Sequence, residues 1–298
     1  LGVLFTSLSA LSQTIQADLI ITNINIVDVA NNKIIPNQTV VISKDLIKAT
    51  GNSVAIQKKY KAKSIIDGTG KFIMPSLWDM HVHFGGDTLI GENKLLLPLY
   101  TAMGINHVRD CAGDISDSVI AWKKAIAQDK LEGPTIFTSG PKLEGIKSIW
   151  PGDLEIGNEQ ELNIALDSLQ KLKVDFVKIT DNTLEPNLFL KSIIAAKNRG
   201  WKVTGHIPAT MTVATYANAG LSAIEHIGYL QRAASDKEDS ITQLRASGKI
   251  TNKEAAVLYL NTYNKVVAIG KFKELAANGT AVVPTINGSY KTTYLDQY

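Results

Sequence analysis

With 298 residues, 45% of them hydrophobic and 20% charged, the chain can bury a sizeable core and is not disordered as a whole. A formal net charge of +3, carried by scattered Lys and Arg without a basic run, argues against a nucleic-acid partner. The single cysteine, Cys111, can form neither an internal disulfide nor a zinc site with a second Cys.

The chain opens on a small apolar run, LGVLFTSLSAL, and Ile15-Gln16-Ala17 resembles a cleavage site. Residues 1–17 are therefore expected to be the remnant of a secretory signal peptide without its basic leader, which makes the protein an exported one. A buried N-terminal strand or helix is the alternative. No other apolar run approaches the roughly 20 residues of a membrane span, so none is expected. Residues 18–67 are rich in β-branched side chains punctuated by Asn and Gly, which predicts short strands of a small β module assigned to 18–69.

From residue 70 the rhythm changes to apolar strand, helix, apolar strand. Strands are expected at 72–84, 105–110, 134–140, 174–180, 201–206, 221–226 and 280–285, with helices between them and a long helical stretch at 235–278. Alternation of this kind implies βαβ units and a parallel sheet, either a (β/α)8 TIM-like barrel or a doubly wound sheet. A barrel of about 250 residues plus a small module suits the length. No GxGxxG follows the first of these strands, which removes the main signature of a dinucleotide-binding sheet.

Of the five histidines, His81, His83, His206 and His226 fall at the C-terminal ends of expected strands, the end where parallel barrels keep their active sites; His107 lies inside the second strand. His81 and His83 are two apart, so on a strand they share a face and can aim two imidazoles at one ion. Each histidine alone is as readily a hydrogen-bonded core residue, but the joint placement points to a metal. Lys178 ends the row Val174, Phe176, Lys178 on one face of its strand; it either snorkels out of the barrel mouth or is chemically used.

These segments together resemble the amidohydrolase superfamily, in particular its imidazolonepropionase-like and Xaa-Pro dipeptidase-like branch. DGTGKFIMPSLWDMHVHF resembles the approach to the first barrel strand, with Ser76 where glycine is usual. MGINHVRDCAGD resembles the second strand, and VDFVKIT, VTGHIP and IEHIGY the fourth, fifth and sixth. The resemblance implies an α/β fold, a (β/α)8 barrel over 70–298 beside a small N-terminal β-sandwich module. It implies two divalent ions, zinc by preference, with His81 and His83 on the more buried ion. Carboxylated Lys178 would bridge the two, and His206 and His226 would hold the second. The implied activity is hydrolysis of an amide or related C–N bond in a small molecule, such as a dipeptide, an N-acyl amino acid or a cyclic amide, by a metal-bound hydroxide.

The chain departs from the family in one respect. The family's eighth barrel strand carries an aspartate that serves as ligand and proton shuttle, and only 14 residues follow Pro284, ending at Tyr298. Asp296 comes too soon to be that residue, so the catalytic aspartate is expected beyond Tyr298. The 298 residues are accordingly expected to lack the last strand unit and to be at best a weak catalyst. Two other functions stay open: a one-metal imidazolonepropionase- or deaminase-like enzyme, against which Lys178 argues, and a non-catalytic metal-binding barrel. Arg109 and Tyr229 are expected to bind substrate, with an ion pair and simple packing as their respective alternatives. The segment at 143–158, with Trp150, is expected to loop over the barrel mouth. A homo-oligomer and a monomer are equally compatible with the sequence.

Overall fold

The structure, a computed structural model, describes residues 14–295 and divides into two compact units, the first ending at Ser76 and the second beginning at Leu77. In the first unit the β-rich stretch forms one five-stranded sheet. Its strands are β1 (Ile15–Asp28), β2 (Lys33–Ser43), β3 (Leu46–Asn52), β4 (Tyr60–Asp67) and β5 (Phe72–Ile73). The order is β3-β2-β1-β4, with β5 also on β1; β2 runs antiparallel to both β1 and β3, whereas β4 and β5 run parallel to β1. The β2–β3 turn places Lys44 (φ 50°) and Asp45 (φ 61°) in the left-handed region, as a two-residue hairpin turn requires. The carboxylate of Asp18 accepts the Lys44 N–H at 3.0 Å and fixes that turn. Ala17, Ile20, Val41 and Ile56 form the module's core.

Two expectations change here. β1 begins at Ile15, and Ala17 is buried and paired with Ala62, so the segment read as a cleavage site is part of the sheet. The cause is pairing with β4, which joins Ile15, Gln16 and Ala17 to Tyr60, Lys61 and Ala62. The apolar run at 1–11 lies outside the described residues. The module is also a single sheet among the described residues, without a second sheet packed against it.

The second unit is built on parallel strands. β6 (Leu77–Val82), β7 (Ile105–Asp110) and β8 (Thr135–Thr138) form a three-stranded sheet. β9 (Leu143–Gly145), β10 (Leu154–Ile156), β11 (Val177–Ile179), β12 (Val203–Gly205), β13 (Ala223–Glu225) and β14 (Ala281–Val283) form a six-stranded one in the order β10-β9-β11-β12-β13-β14. Each of the seven expected strands contains one of these. β9 and β10 arise inside the segment expected to be a loop, because Leu143 and Ile156 bury completely and bring their backbones into pairing. The Asp175 N–H donates to Thr138 O at 2.9 Å where the two sheets adjoin. No backbone ladder among the described residues joins β14 to β6, so the expected barrel is present as two parallel sheets without a closed ring. A helix, Ile286–Thr293, follows β14. Asp296 and Tyr298 lie outside the described residues, and so does the strand-eight aspartate expected beyond Tyr298.

Strands β11, β12 and β13 are buried on both faces, as parallel strands covered by helices must be. The helix Glu159–Leu172 shows why the cover forms. Asn158 caps it by accepting the Glu161 N–H at 2.9 Å, Leu162, Ala165, Leu166 and Leu169 line its inner stripe, and Lys173 (φ 56°) ends it. These side chains join Phe189, Ile193, Val203, Tyr216 and Ile224 in the main core. Among the described residues no helix is long and apolar enough to cross a membrane.

Candidate metal centre

The strand ends bring four of the five histidines together. His81 sits on β6, with His83 just past that strand's end; His206 follows β12 and His226 follows β13. Nε2 of His81 lies 3.0 Å from Nε2 of His83, and Nε2 of His226 lies 3.1 Å from Nε2 of His206. The His81 and His226 rings are 4.9 Å apart, which links the two pairs. Two imidazole nitrogens on one tetrahedral zinc stand about 3.3 Å from each other, since each bond is roughly 2.0 Å. His107, by contrast, stacks on Trp78 at 4.3 Å in the sheet.

The opposite ring nitrogens are held. Nδ1 of His83 is 2.6 Å from Ala112 O, Nδ1 of His81 is 2.6 Å from a Glu225 oxygen, and Nδ1 of His226 is 2.8 Å from the Thr285 hydroxyl. Nδ1 of His206 faces Asp181 at 3.8 Å. A carbonyl or carboxylate at Nδ1 fixes the proton there and leaves Nε2 as a lone pair, the arrangement that ligating histidines adopt. Three residues around this shell hold left-handed backbones without being glycine: Ala112 (φ 83°), His226 (φ 74°) and Thr285 (φ 48°). Each either supplies an acceptor to a histidine or is the histidine itself. Such strain costs of order 1–3 kcal/mol per residue and persists where surrounding packing enforces it.

The electrostatics favour the neutral form of three of these rings, His83, His206 and His226. Burial lowers His206 to about 2 and His83 and His226 to about 4, with Lys178 and neighbouring imidazoles adding to the effect. Lys178 on β11 is 1% exposed, and its Nζ has no hydrogen-bond partner. Burial depresses its pKa, which favours the neutral amine. A cavity of about 470 Å³ adjoins the cluster, lined by His83, Lys178, His206 and His226 together with Lys142 and Trp150. Neutral imidazoles with free Nε2 atoms and an orphaned buried amine beside them make a donor set that fits divalent cations.

Several participants were not foreseen. Glu225 is fully buried and accepts from His81, Arg109 and Thr204. Burial alone would raise its pKa, but His81, Lys178, Arg109 and Thr204 outweigh it and hold the carboxyl at about 2. Strand alternation would turn Glu225 away from His226. The strand ends at Glu225, however, and the left-handed His226 swings its ring back to the same side. Asp181 beside His206 is pushed up to about 6 by burial and by Glu144. Lys142 pairs with Asp153, and Ser148 donates to the same carboxylate, which pins the segment bearing Trp150.

The two residues expected to bind substrate behave differently. Arg109 Nε donates to Met80 O at 2.8 Å, its Nη2 bonds Glu225, and its guanidinium lies 5.2 Å from the Phe176 ring. It is thus engaged inside the sheet, and it is not among the described residues lining the 470 Å³ cavity. With Glu225 it forms an ion pair. Tyr229 opens the helix Gly228–Ala233, packs against the main core and lines a separate cavity of about 860 Å³ beside His206 and His226.

No family model matches the chain. Ochratoxinase from Aspergillus niger is 29% identical over 119 residues, 36% of this chain and 25% of that protein. The crystal structure of A. niger ochratoxinase superposes with a TM-score of 0.61 at 18% identity, covering 90% of this chain and 76% of that one. A Xaa-Pro dipeptidase structure with methionine bound in its active site superposes with a TM-score of 0.59 at 16% identity, over 89% of this chain and 78% of that one, so the chain shares the fold of these structures. An adenine deaminase from Chelativorans sp. (strain BNC1) is 24% identical over 232 residues, 70% of this chain and 35% of that protein. The matched part of the chain spans between a quarter and about a third of the length of these curated relatives.

Proposed function

We propose that this amidohydrolase-fold chain is a metal-dependent hydrolase of amide or related C–N bonds in small molecules. The observation that carries the proposal is the convergence of four Nε2 atoms, with Nδ1 of His81 and His83 on a carboxylate and a carbonyl, around a buried amine without a hydrogen-bond partner among the described residues. His81, His83, His206 and His226 are the residues to hold two divalent ions, zinc by ligand preference, and Lys178 is the residue to carry a carboxylated amine between them. Ions in such a site would polarise a substrate carbonyl and acidify a water. The names of the relatives support the bond class: a Xaa-Pro dipeptidase and an adenine deaminase both break C–N bonds.

The chain's own residues do the rest. Ala112 O and Glu225 hold His83 and His81 in the Nδ1–H tautomer, and the Thr285 hydroxyl orients the His226 ring. Burial lowers the pKa of Lys178 and so favours the neutral amine, the state that adds to CO2. Asp181, with a carboxyl near pKa 6, can take and return a proton beside His206 near neutral pH. Trp150 and the stem of Lys142, whose amine is paired with Asp153, wall the cavity, so an apolar group of the substrate has a matching surface. Within this proposal the two parallel sheets belong to one TIM-like barrel and the five-stranded module to a β-sandwich. Export rests on the apolar run at 1–11.

A one-metal, deaminase-like enzyme is the second reading, favoured by the adenine deaminase match. Metal content decides between them. About two zinc equivalents per chain and hydrolysis within a panel of dipeptides, N-acyl amino acids and cyclic ureides are expected. One equivalent with deamination supports the second reading, and a chain that binds no divalent metal overturns both.

A further inference from the structure

The carboxylate of Glu225 is the point where three donors from three strands meet. Its Oε2 accepts His81 Nδ1–H at 2.6 Å, and its Oε1 accepts from Arg109 Nη2 and from the Thr204 hydroxyl. Glu225 is fully buried, and the Arg109 side chain is 12% exposed, so water does not compete for these bonds. Arg109 is further anchored by Met80 O at 2.8 Å and by the Phe176 ring. The carboxylate therefore cannot rotate without breaking a charged bond.

We propose that Glu225, clamped by Arg109 and Thr204, is a positioning residue that locks His81 in the Nδ1–H tautomer and thereby sets the metal affinity of the His81–His83 pair. The inference rests on the metal-centre reading above. It assigns Glu225 no direct contact with the ion, although His81, Cys111 and Glu225 offer ligand atoms within 4.8 Å of one another. Both carboxylate oxygens are already accepting, and the Arg109 cation already neutralises the carboxylate.

All three neighbours of Glu225 donate, and a carboxylate only accepts. A glutamine has one accepting and one donating end. With its oxygen towards Arg109 and Thr204, its NH2 faces His81 Nδ1. That contact is a hydrogen bond only when Nδ1 is the lone pair and the proton sits on Nε2. Glu225→Gln thus moves the proton onto the atom that must bind the metal, with almost no change in side-chain volume.

The test reads the tautomer and the affinity separately, using the full chain. Long-range 1H–15N correlations of histidine ring nitrogens in the metal-free protein, with His81 assigned from a His81→Asn control, are expected to show Nδ1–H in the wild type and Nε2–H in Glu225→Gln. Zinc affinity, measured by competition with a chelator, is expected to fall about 10–100-fold in Glu225→Gln, the range seen when an outer-shell partner is lost. In Thr204→Val it is expected to fall roughly tenfold, the low end of what a hydrogen bond to a charged group contributes. Nδ1–H retained in Glu225→Gln with wild-type zinc affinity overturns the proposal. So does a change in the cobalt(II) absorption spectrum that signals a lost ligand while the tautomer stays put, because Glu225 is then itself a ligand. If Glu225→Gln does not fold, unchanged zinc affinity in Thr204→Val overturns it instead. A wild type that binds neither zinc nor cobalt sinks the metal-centre reading, and the tautomer shift is still readable.

Discussion

Nε2 of His206 and Nε2 of His226 stand 3.1 Å apart at the ends of adjacent strands, twenty residues apart in sequence. Two neutral rings at that distance can share one proton or one cation, and they need both members to do so. His206→Asn and His226→Asn are each expected to remove about one bound zinc per chain. The double substitution should remove no more than either single one, the non-additivity of groups acting as a unit. Metal content after dialysis against a weak chelator checks this.

Lys178 has the opposite signature, a group that harms the fold in the absence of its chemistry. Its amine is buried with no partner, and an unpaired polar group in such a place costs about 1–3 kcal/mol. Lys178→Met keeps the stem and removes the amine. The metal-free variant is expected to be more stable than the wild type by about 1–3 kcal/mol in urea melts, while its metal-dependent hydrolysis is lost. A destabilised variant would show that the amine has a favourable partner.

Two buried carboxylates should titrate in opposite senses. Glu144 accepts backbone N–H bonds from Gly145, Asn182, Thr183 and Leu184, and these outweigh burial and lower its pKa. Its stabilisation is present above the unfolded carboxylate pKa and is lost as pH falls through the depressed folded value. Glu144→Ala should therefore cost at least about 3 kcal/mol at pH 7, with the gap to the wild type narrowing in acid. Melting both proteins at pH 7 and in strong acid tests the sign.

Asp110 is pushed up to about 6 by burial, against bonds from Thr138 and the Phe84 N–H. A raised carboxyl stabilises fully below its unfolded value near 3.8, and that contribution is lost as pH rises through about 6. Against Asp110→Asn, which does not titrate, the wild type should lose on the order of 2 kcal/mol of relative stability between pH 4 and pH 7. A flat difference across that window would place the Asp110 carboxyl at its ordinary value.

The histidines were legible in the sequence because two simple regularities coincide at them: apolar strand runs that end, and the period of two that puts His81 and His83 on one face. Lys178 followed from the same period on β11. What escaped is where regularity stops. Glu225 was turned the wrong way by extending alternation one residue past the end of β13, where the left-handed His226 breaks it. Arg109 stayed open between substrate and an ion pair because its partner Glu225 is 116 residues away and on another strand. β9 and β10 are three residues each, too short for a periodic signal, and pair because Leu143 and Ile156 are drawn into the core.

The backbone of His226 has a consequence for anyone who would redesign this chain. The position demands an imidazole and a left-handed backbone at once, and no amino acid offers both without strain. Glycine relaxes the backbone and asparagine tolerates it, so a library sorted on thermal resistance or expression would enrich both at position 226. The winners of that sort would be better-folded proteins with one of the four converging imidazoles gone. Screens on this scaffold must therefore score metal retention alongside resistance to heat, or they will select the site away.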